Sequence, residues 1–164
     1  MTTDGAPRFS DAVLAEYRAI VGRYPTRRAA LMPTLWLAQR EFGWLSPPVQ
    51  GYVAELMELP LAWVTSVASF YTMYWKEPKG RWHIQLCRNL PCQLRGADAI
   101  QRTVEGRLGI RHGERTADGK FSLEEVECLA SCGTAPCLQL NNVEYHENLD
   151  VQKTLALLER LASA

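Results

Sequence analysis

Cysteine is missing from the first half of this chain, because all five cysteines lie between Cys87 and Cys137. Net charge is missing too, since 18 Lys and Arg balance 18 Asp and Glu. A chain without a basic excess has little with which to neutralise phosphates, so nucleic acid is not an expected partner. With 164 residues, 47% of them hydrophobic, the chain is expected to fold around one core or two small ones.

Long apolar runs are also lacking. The uncharged stretch 59–75 falls short of the roughly 20 apolar residues of a membrane span and contains Pro60. We expect a buried helix there, followed by an aromatic strand or loop whose rings belong to the core, with a recognition surface as the alternative. No apolar signal-peptide core occupies residues 1–9, which favours a reducing cytoplasmic location without structural disulfides.

Hydrophobic periodicity predicts an α/β (α+β) chain in two parts. Residues 10–68 follow the pattern of four short amphipathic helices, which would form a small bundle. The charged segment 76–80 ends in breaker residues, so the domains are expected to be 1–78 and 79–164. The second part predicts strands at 83–86 and 121–127, a helix over 94–108, a hairpin at 138–145 and a last helix capped by Asp150. That order is close to a thioredoxin-type sheet.

Two cysteine pairs follow two of the predicted strands. Cys87 and Cys92 have C-x4-C spacing, and Cys128 and Cys132 have C-x3-C spacing. Sites in open α/β sheets gather beyond the carboxyl ends of strands, so four thiols are expected to meet there. Four thiolates suit either structural zinc or an iron–sulfur cluster, and the four-residue gap favours a [2Fe–2S] cluster.

The surroundings of these pairs also favour an anionic cluster. A helix opening at residues 93–97 would place its positive end beside Cys92, and Arg88 and Arg95 would add positive potential. Gly133 would allow backbone to approach sulfur. Each residue has a simpler interpretation, because an arginine can be a solvated side chain and a glycine can serve a turn.

The fifth cysteine and the histidines have other expected roles. Cys137 precedes the hairpin and is expected to pack as a small buried hydrophobe, with a substitute ligand or a redox-reactive thiol as alternatives. His83, His112 and His146 lack the spacing of paired metal ligands.

Motifs for nucleotide binding or hydrolysis are absent from the sequence, including the phosphate loop, the dinucleotide glycine fingerprint and the nucleophile elbow. A C-x-x-C pair is absent as well, which disfavours a thioredoxin-like dithiol oxidoreductase. The chain is therefore expected to carry electrons without binding a nucleotide itself.

From about residue 9 to 160 the chain resembles the small [2Fe–2S] subunit of the NADH dehydrogenase module of respiratory complex I. Besides the two cysteine pairs, the resemblance rests on Arg-Tyr-Pro at 23–25, residues 28–38, Phe-Gly-Trp-Leu-Ser at 42–46, Val-Ala-Ser-Phe-Tyr-Thr at 67–72, Leu-Arg-Gly at 94–96, Glu-Cys-Leu at 127–129 and Ala-Pro at 135–136.

The resemblance implies a helical N-terminal domain followed by a thioredoxin-like ferredoxin domain. It implies that Cys87, Cys92, Cys128 and Cys132 hold one [2Fe–2S] cluster, with no catalytic site on this chain alone. It further implies a flavoprotein partner that binds FMN and oxidises NADH, within a larger NADH:quinone oxidoreductase peripheral to the membrane. Residues 59–75 and the helical block are candidates for part of that interface.

Two alternatives stay open: another parent complex, or a different class of protein with a zinc site. Similar subunits serve NAD-reducing hydrogenases, NAD-dependent formate dehydrogenases and electron-bifurcating complexes, and a zinc-stabilised assembly adaptor would use the same thiols. The sequence departs from many relatives at Ala130 and Ser131, where Gly-Ala is usual, and at Cys137, where methionine is common. These changes keep the four thiols and could alter hydrogen bonding to sulfur.

Overall fold

The structure is a computed structural model that describes residues 6–164. The chain divides into two compact units, one ending at Pro78 and the other beginning at Lys79. The first unit contains four helices within the described residues: α1 (Asp11–Val21), α2 (Leu31–Phe42), α3 (Pro47–Met57) and α4 (Leu61–Phe70). The division into domains of residues 1–78 and 79–164 stays a prediction.

The second unit alternates strands and helices, which confirms the predicted α/β class. Its elements within the described residues are β1 (Trp82–Cys87), α5 (Leu90–Leu94), α6 (Ala97–Leu108), β2 (Phe121–Val126), β3 (Leu138–Leu140), β4 (Glu144–His146) and α7 (Val151–Ser163). Short 3₁₀ turns lie at Arg28–Ala30 and Cys132–Thr134.

The helical unit is held by an apolar core and a few buried polar ties. Ser46 caps α3 by accepting a hydrogen bond from the Val49 N–H, and α2 ends at Gly43, which adopts the left-handed φ of 82°. The buried Gln39 side chain donates to the Met73 carbonyl at 2.9 Å. This contact joins α2 to the segment that follows α4.

The uncharged segment 59–75 is only partly buried. Tyr74 is fully buried and donates to the Met32 carbonyl at 2.8 Å, whereas Phe70 is 78% exposed. The prediction of an aromatic core is therefore confirmed at Tyr74, which lies beyond the end of α4, and wrong at Phe70, the exposed last residue of α4. No helix in residues 6–164 has the length and apolarity needed to cross a membrane.

The sheet has the strand order β2-β1-β3-β4. β1 runs parallel to β2, with Cys87 opposite Val126, and antiparallel to β3, with Leu86 opposite Leu138. Apolar residues of the strands, α6 and α7 form one core beneath the sheet. Because parallel strands end at the same edge, the chain leaves β1 and β2 side by side.

The predicted helix over 94–108 is α6, which begins three residues later, at Ala97, while Leu94 belongs to the preceding helix α5. α5 ends at Leu94, and α6 begins after Gly96, whose φ of 97° lies in the left-handed region and breaks the helical path. Cys92 therefore lies inside the short α5 rather than beside the start of a long helix. The dipole argument made for 93–97 is wrong for this reason.

Replacing Asp150 by Ala is expected to destabilise the protein by about 1 kcal/mol. The Asp150 carboxylate caps α7 by accepting a hydrogen bond from the Lys153 N–H at 2.7 Å. Asp150→Asn retains an acceptor oxygen and is the matched control. Thermal unfolding of both variants checks the cap, and equal melting temperatures for the two would contradict it.

Candidate metal centre

The first cysteine pair is positioned by the end of β1 and by α5. Cys87 is the last residue of β1, and Cys92 lies within α5. Asn89 begins α5 by accepting the Leu90 N–H at 2.9 Å, and Pro91 suits the first turn because it lacks an N–H. The local sequence thus reverses the chain and brings Cys92 back toward Cys87.

Three buried thiols converge at this edge of the sheet. The sulfurs of Cys87, Cys92 and Cys137 all lie within 4.8 Å of one another, and those of Cys92 and Cys137 are 4.0 Å apart. Cys137 directly precedes β3, and its carbonyl accepts the Cys87 N–H at 3.3 Å. The antiparallel pairing of β1 and β3 therefore delivers Cys137 to the first cysteine pair. Among residues 6–164 this is the one such group of three possible metal ligands.

The second cysteine pair lies in an exposed loop after β2, which we name the ligand loop (residues 128–132). The Cys128 sulfur accepts the Ala130 N–H at 3.3 Å, with Ala130 at a left-handed φ of 58°. Leu129 packs against the buried cluster that contains Cys87, Cys92 and Cys137. The ligand loop thus touches the first pair, although the Cys128 and Cys132 thiols are exposed and lie outside the buried group.

The thiols differ in how readily they ionise. Burial by itself would raise the pKa of Cys87, but the Asn89 and Leu129 N–H groups, together with the Cys92 and Cys137 thiols, lower that pKa. Burial raises the pKa of Cys92, and the Cys87 sulfur adds to the rise. Burial also raises the pKa of Cys137, reinforced by Cys92 and Cys87. Since metals bind thiolates, Cys87 is the best prepared ligand of the three.

Comparison with known proteins identifies the family. The sequence pattern of thioredoxin-like [2Fe-2S] ferredoxins matches residues 17–162. The chain belongs to that family. The resemblance drawn from the sequence is thereby confirmed.

Curated relatives of this ferredoxin are similar over most of their length. One is an NADH-quinone oxidoreductase subunit, of the type designated E, from Rhizobium meliloti; it is 46% identical over 149 residues, with 91% of this chain and 88% of the relative covered. Another is the subunit of the same type from Rickettsia bellii, 45% identical over 145 residues, with 87% and 86% covered.

A solved structure confirms the fold. The air-oxidised NAD+-reducing [NiFe]-hydrogenase matches 81% of this chain with a TM-score of 0.71 at 22% identity. This ferredoxin spans 23% of that hydrogenase chain. At this identity the likeness concerns the fold alone, which is the thioredoxin-like α/β arrangement expected from the sequence.

The residues present fit the [2Fe–2S] group that gives the family its name. Fe–S clusters require soft thiolate ligands, and both cysteine pairs lie at the edge of the sheet where the parallel strands β1 and β2 end. The sequence had assigned Cys137 to simple packing, and its closeness to Cys87 and Cys92 was missed. A usable signal was its position one residue before a strand that pairs with β1.

Charge near the site is more balanced than the sequence suggested. Arg88 lies 3.3 Å from the Glu125 carboxylate, which also accepts a hydrogen bond from the Gln101 amide at 2.8 Å. Part of the positive potential expected from Arg88 is therefore neutralised. Arg95 is exposed beside the αL residue Gly96. An added Cβ at Gly133 would meet no atom of the described residues within 4 Å, so close packing does not explain that glycine.

None of the three histidines belongs to the group of possible metal ligands found in residues 6–164. His83 is fully buried in β1, with its Nδ1 2.8 Å from the Ser122 hydroxyl and its Nε2 2.8 Å from the Glu124 carboxylate. That contact is the main cause that lowers the pKa of Glu124. His112 accepts the Glu125 N–H at 2.8 Å through Nδ1, and His146 Nε2 lies 2.9 Å from the Glu144 carboxylate in a geometry that forms no hydrogen bond.

Proposed function

We propose that this chain is the electron-transfer subunit of an NADH:quinone oxidoreductase. It binds one [2Fe–2S] cluster through Cys87, Cys92, Cys128 and Cys132, and it exchanges single electrons with the FMN of a partner flavoprotein that oxidises NADH. The observation that carries the proposal is the packing of Leu129, which lies between Cys128 and Cys132, against the buried cluster that contains Cys87 and Cys92. The names and high coverage of the curated relatives support the choice of complex.

The chain's own groups prepare the site for anionic ligands. The backbone N–H groups of Asn89 and Leu129 favour the charged form of Cys87 and lower its pKa. Buried thiols and the packed Ala97 and Ala135 exclude water from the inner side. When bound, the cluster supplies one-electron chemistry, which neither the side chains nor the backbone of this chain can provide.

Exposed apolar and aromatic side chains in the helical unit support a surface for the partner flavoprotein there. Phe70 and Leu61 are exposed on α4, and Trp63 is exposed with the Arg28 guanidinium 4.1 Å from its ring centroid. Exposed aromatic and arginine side chains are enriched at protein interfaces. We assign this face to part of the flavoprotein interface, and we place the assembly in the cytoplasm, peripheral to the membrane.

A related complex is the alternative assignment. The hydrogenase whose fold matches is NAD+-reducing, and formate dehydrogenases and electron-bifurcating enzymes belong to the same range of alternatives. Neighbouring genes discriminate these cases, because a hydrogenase, a formate dehydrogenase or a quinone-reducing membrane set would stand beside this one.

Purified protein handled without oxygen is expected to be brown and to contain two iron and two acid-labile sulfide atoms per chain, roughly as a [2Fe–2S] unit requires. Reduction by one electron is expected to produce a paramagnetic signal that the oxidised form lacks. A colourless preparation with stoichiometric zinc would instead support the assembly adaptor. Metal analysis and electron paramagnetic resonance therefore decide between the two classes.

A further inference from the structure

The Glu147 carboxylate accepts hydrogen bonds from residues on both sides of Cys132. The Ser131 hydroxyl donates to Glu147 Oε1, and the Thr134 hydroxyl donates to the same oxygen at 2.6 Å. Ser131 precedes Cys132 by one residue and Thr134 follows it by two. Cys132 is therefore bracketed by two hydrogen bonds that end on a single acceptor, and a shift of Cys132 would disturb both.

The backbone around Glu147 holds the same region at two further points. The Asn148 N–H donates to the Thr134 carbonyl at 2.7 Å. The Tyr145 hydroxyl donates to the Leu129 carbonyl at 3.1 Å, and Leu129 in turn packs against the buried cluster that contains Cys87. Residues 145–148 thus contact the chain both at Leu129, near the start of the ligand loop, and at Thr134, just after its end.

The carboxylate is charged under ordinary conditions. Hydrogen bonds from Ser131 and then Thr134 lower the pKa of Glu147. Hydrogen bonds to an ionised acceptor are stronger than those between neutral groups. The same negative charge opposes the addition of an electron nearby, so it acts on the ease of reduction as well as on loop geometry.

We propose that Glu147 is a positioning residue for the ligand loop, which holds Cys132 in place through Ser131 and Thr134 and adds a negative charge that lowers the reduction potential. This inference rests on the proposed function. It assigns a role to a residue outside the two cysteine pairs. Glu147 acts through its neighbours and does not itself touch the metal.

The test uses the full chain with its cluster assembled and compares Glu147→Ala with Glu159→Ala. Glu159 is an exposed residue of α7, so the control removes the same charge far along the chain from the ligand loop. Glu147→Ala is expected to lose iron to a chelator about tenfold faster than the control, because two charge-assisted hydrogen bonds are removed. Glu147→Gln keeps an acceptor oxygen and is expected to lose iron more slowly than Glu147→Ala.

A potential titration separates charge from geometry. Both Glu147→Ala and Glu147→Gln are expected to raise the midpoint potential, whereas only the alanine variant should strongly accelerate loss of iron. The double variant Ser131→Ala/Thr134→Ala removes the two hydroxyl donors of the same hydrogen bonds. Adding Glu147→Ala to it should accelerate iron loss little further, because the shared hydrogen bonds are already gone.

Three results would overturn the inference while leaving the proposed function standing: equal iron loss in Glu147→Ala and Glu159→Ala, an unchanged potential, or additive effects in the triple variant. If Glu147→Ala fails to fold, the comparison passes to Glu147→Gln and the hydroxyl variant, with the same criteria. A wild-type chain without iron and sulfide would contradict the proposed function itself.

Discussion

Serine in place of Cys87, Cys92, Cys128 or Cys132 is expected to lower iron and acid-labile sulfide per chain by more than about tenfold, since losing even an outer partner of a metal ligand costs roughly 10–100-fold in affinity. Serine offers a hard hydroxyl that stays protonated at neutral pH, whereas Fe–S clusters are held by thiolates. Metal and sulfide analysis, together with visible absorption, measures the loss in each variant.

Cys137→Ser is the matched control, and it is expected to leave the cluster largely intact. Methionine is common at this position in the resembling subunits, so a thiolate is not required there. The structure makes the control stringent, because the Cys137 sulfur lies within 4.8 Å of those of Cys87 and Cys92. Native absorption in Cys128→Ser, or its loss in Cys137→Ser, would overturn the ligand set.

Gly80→Ala is expected to destabilise the protein by about 2–3 kcal/mol through overpacking, roughly 5–10 °C in melting temperature for a chain of this size. A Cβ at Gly80 would lie 2.3 Å from the Phe121 carbonyl carbon and 2.6 Å from the Ser122 nitrogen. Both contacts are with backbone, so no side chain can move aside. The change would force β1 away from the start of β2.

Gly106→Ala is the matched control for this prediction. Gly106 lies within α6, where an added Cβ would meet no atom of the described residues within 4 Å. Alanine there is expected to stabilise the protein by about 0.5–1 kcal/mol, since it favours helix over the unfolded chain. If thermal unfolding gave the two variants the same melting temperature, the close packing at Gly80 would be contradicted.

Local patterns accounted for much of the fold. The Asp150 cap was predicted from residues a few positions apart and is confirmed. Helix capping depends on side chains and backbone groups within one turn, which is why a sequence window suffices to find it. The same reasoning placed cysteine pairs directly after strands, where Cys87 and the ligand loop lie.

Other features depended on contacts between distant segments. Gly96 separates α5 from α6 near the start of the predicted 94–108 helix, and periodicity along the chain does not reveal that division. Two aromatic residues near the end of α4 also differ in burial, since Phe70, the last residue of the helix, is exposed and Tyr74, in the segment after it, is fully buried. Periodicity gives a helix a face but does not say where that face stops being covered.

The family, the α/β class and the cysteine spacing that indicates a [2Fe–2S] cluster could all be predicted from the order of residues along the chain, because each depends on local patterns. Only the folded chain brings Cys137 to the first cysteine pair. Folding also places the Glu147 carboxylate where the Ser131 and Thr134 hydroxyls donate to it. In the first case, the pairing of β1 with β3 joins segments that are far apart along the chain. Such contacts are decided by the register of the sheet, which no short stretch of sequence contains.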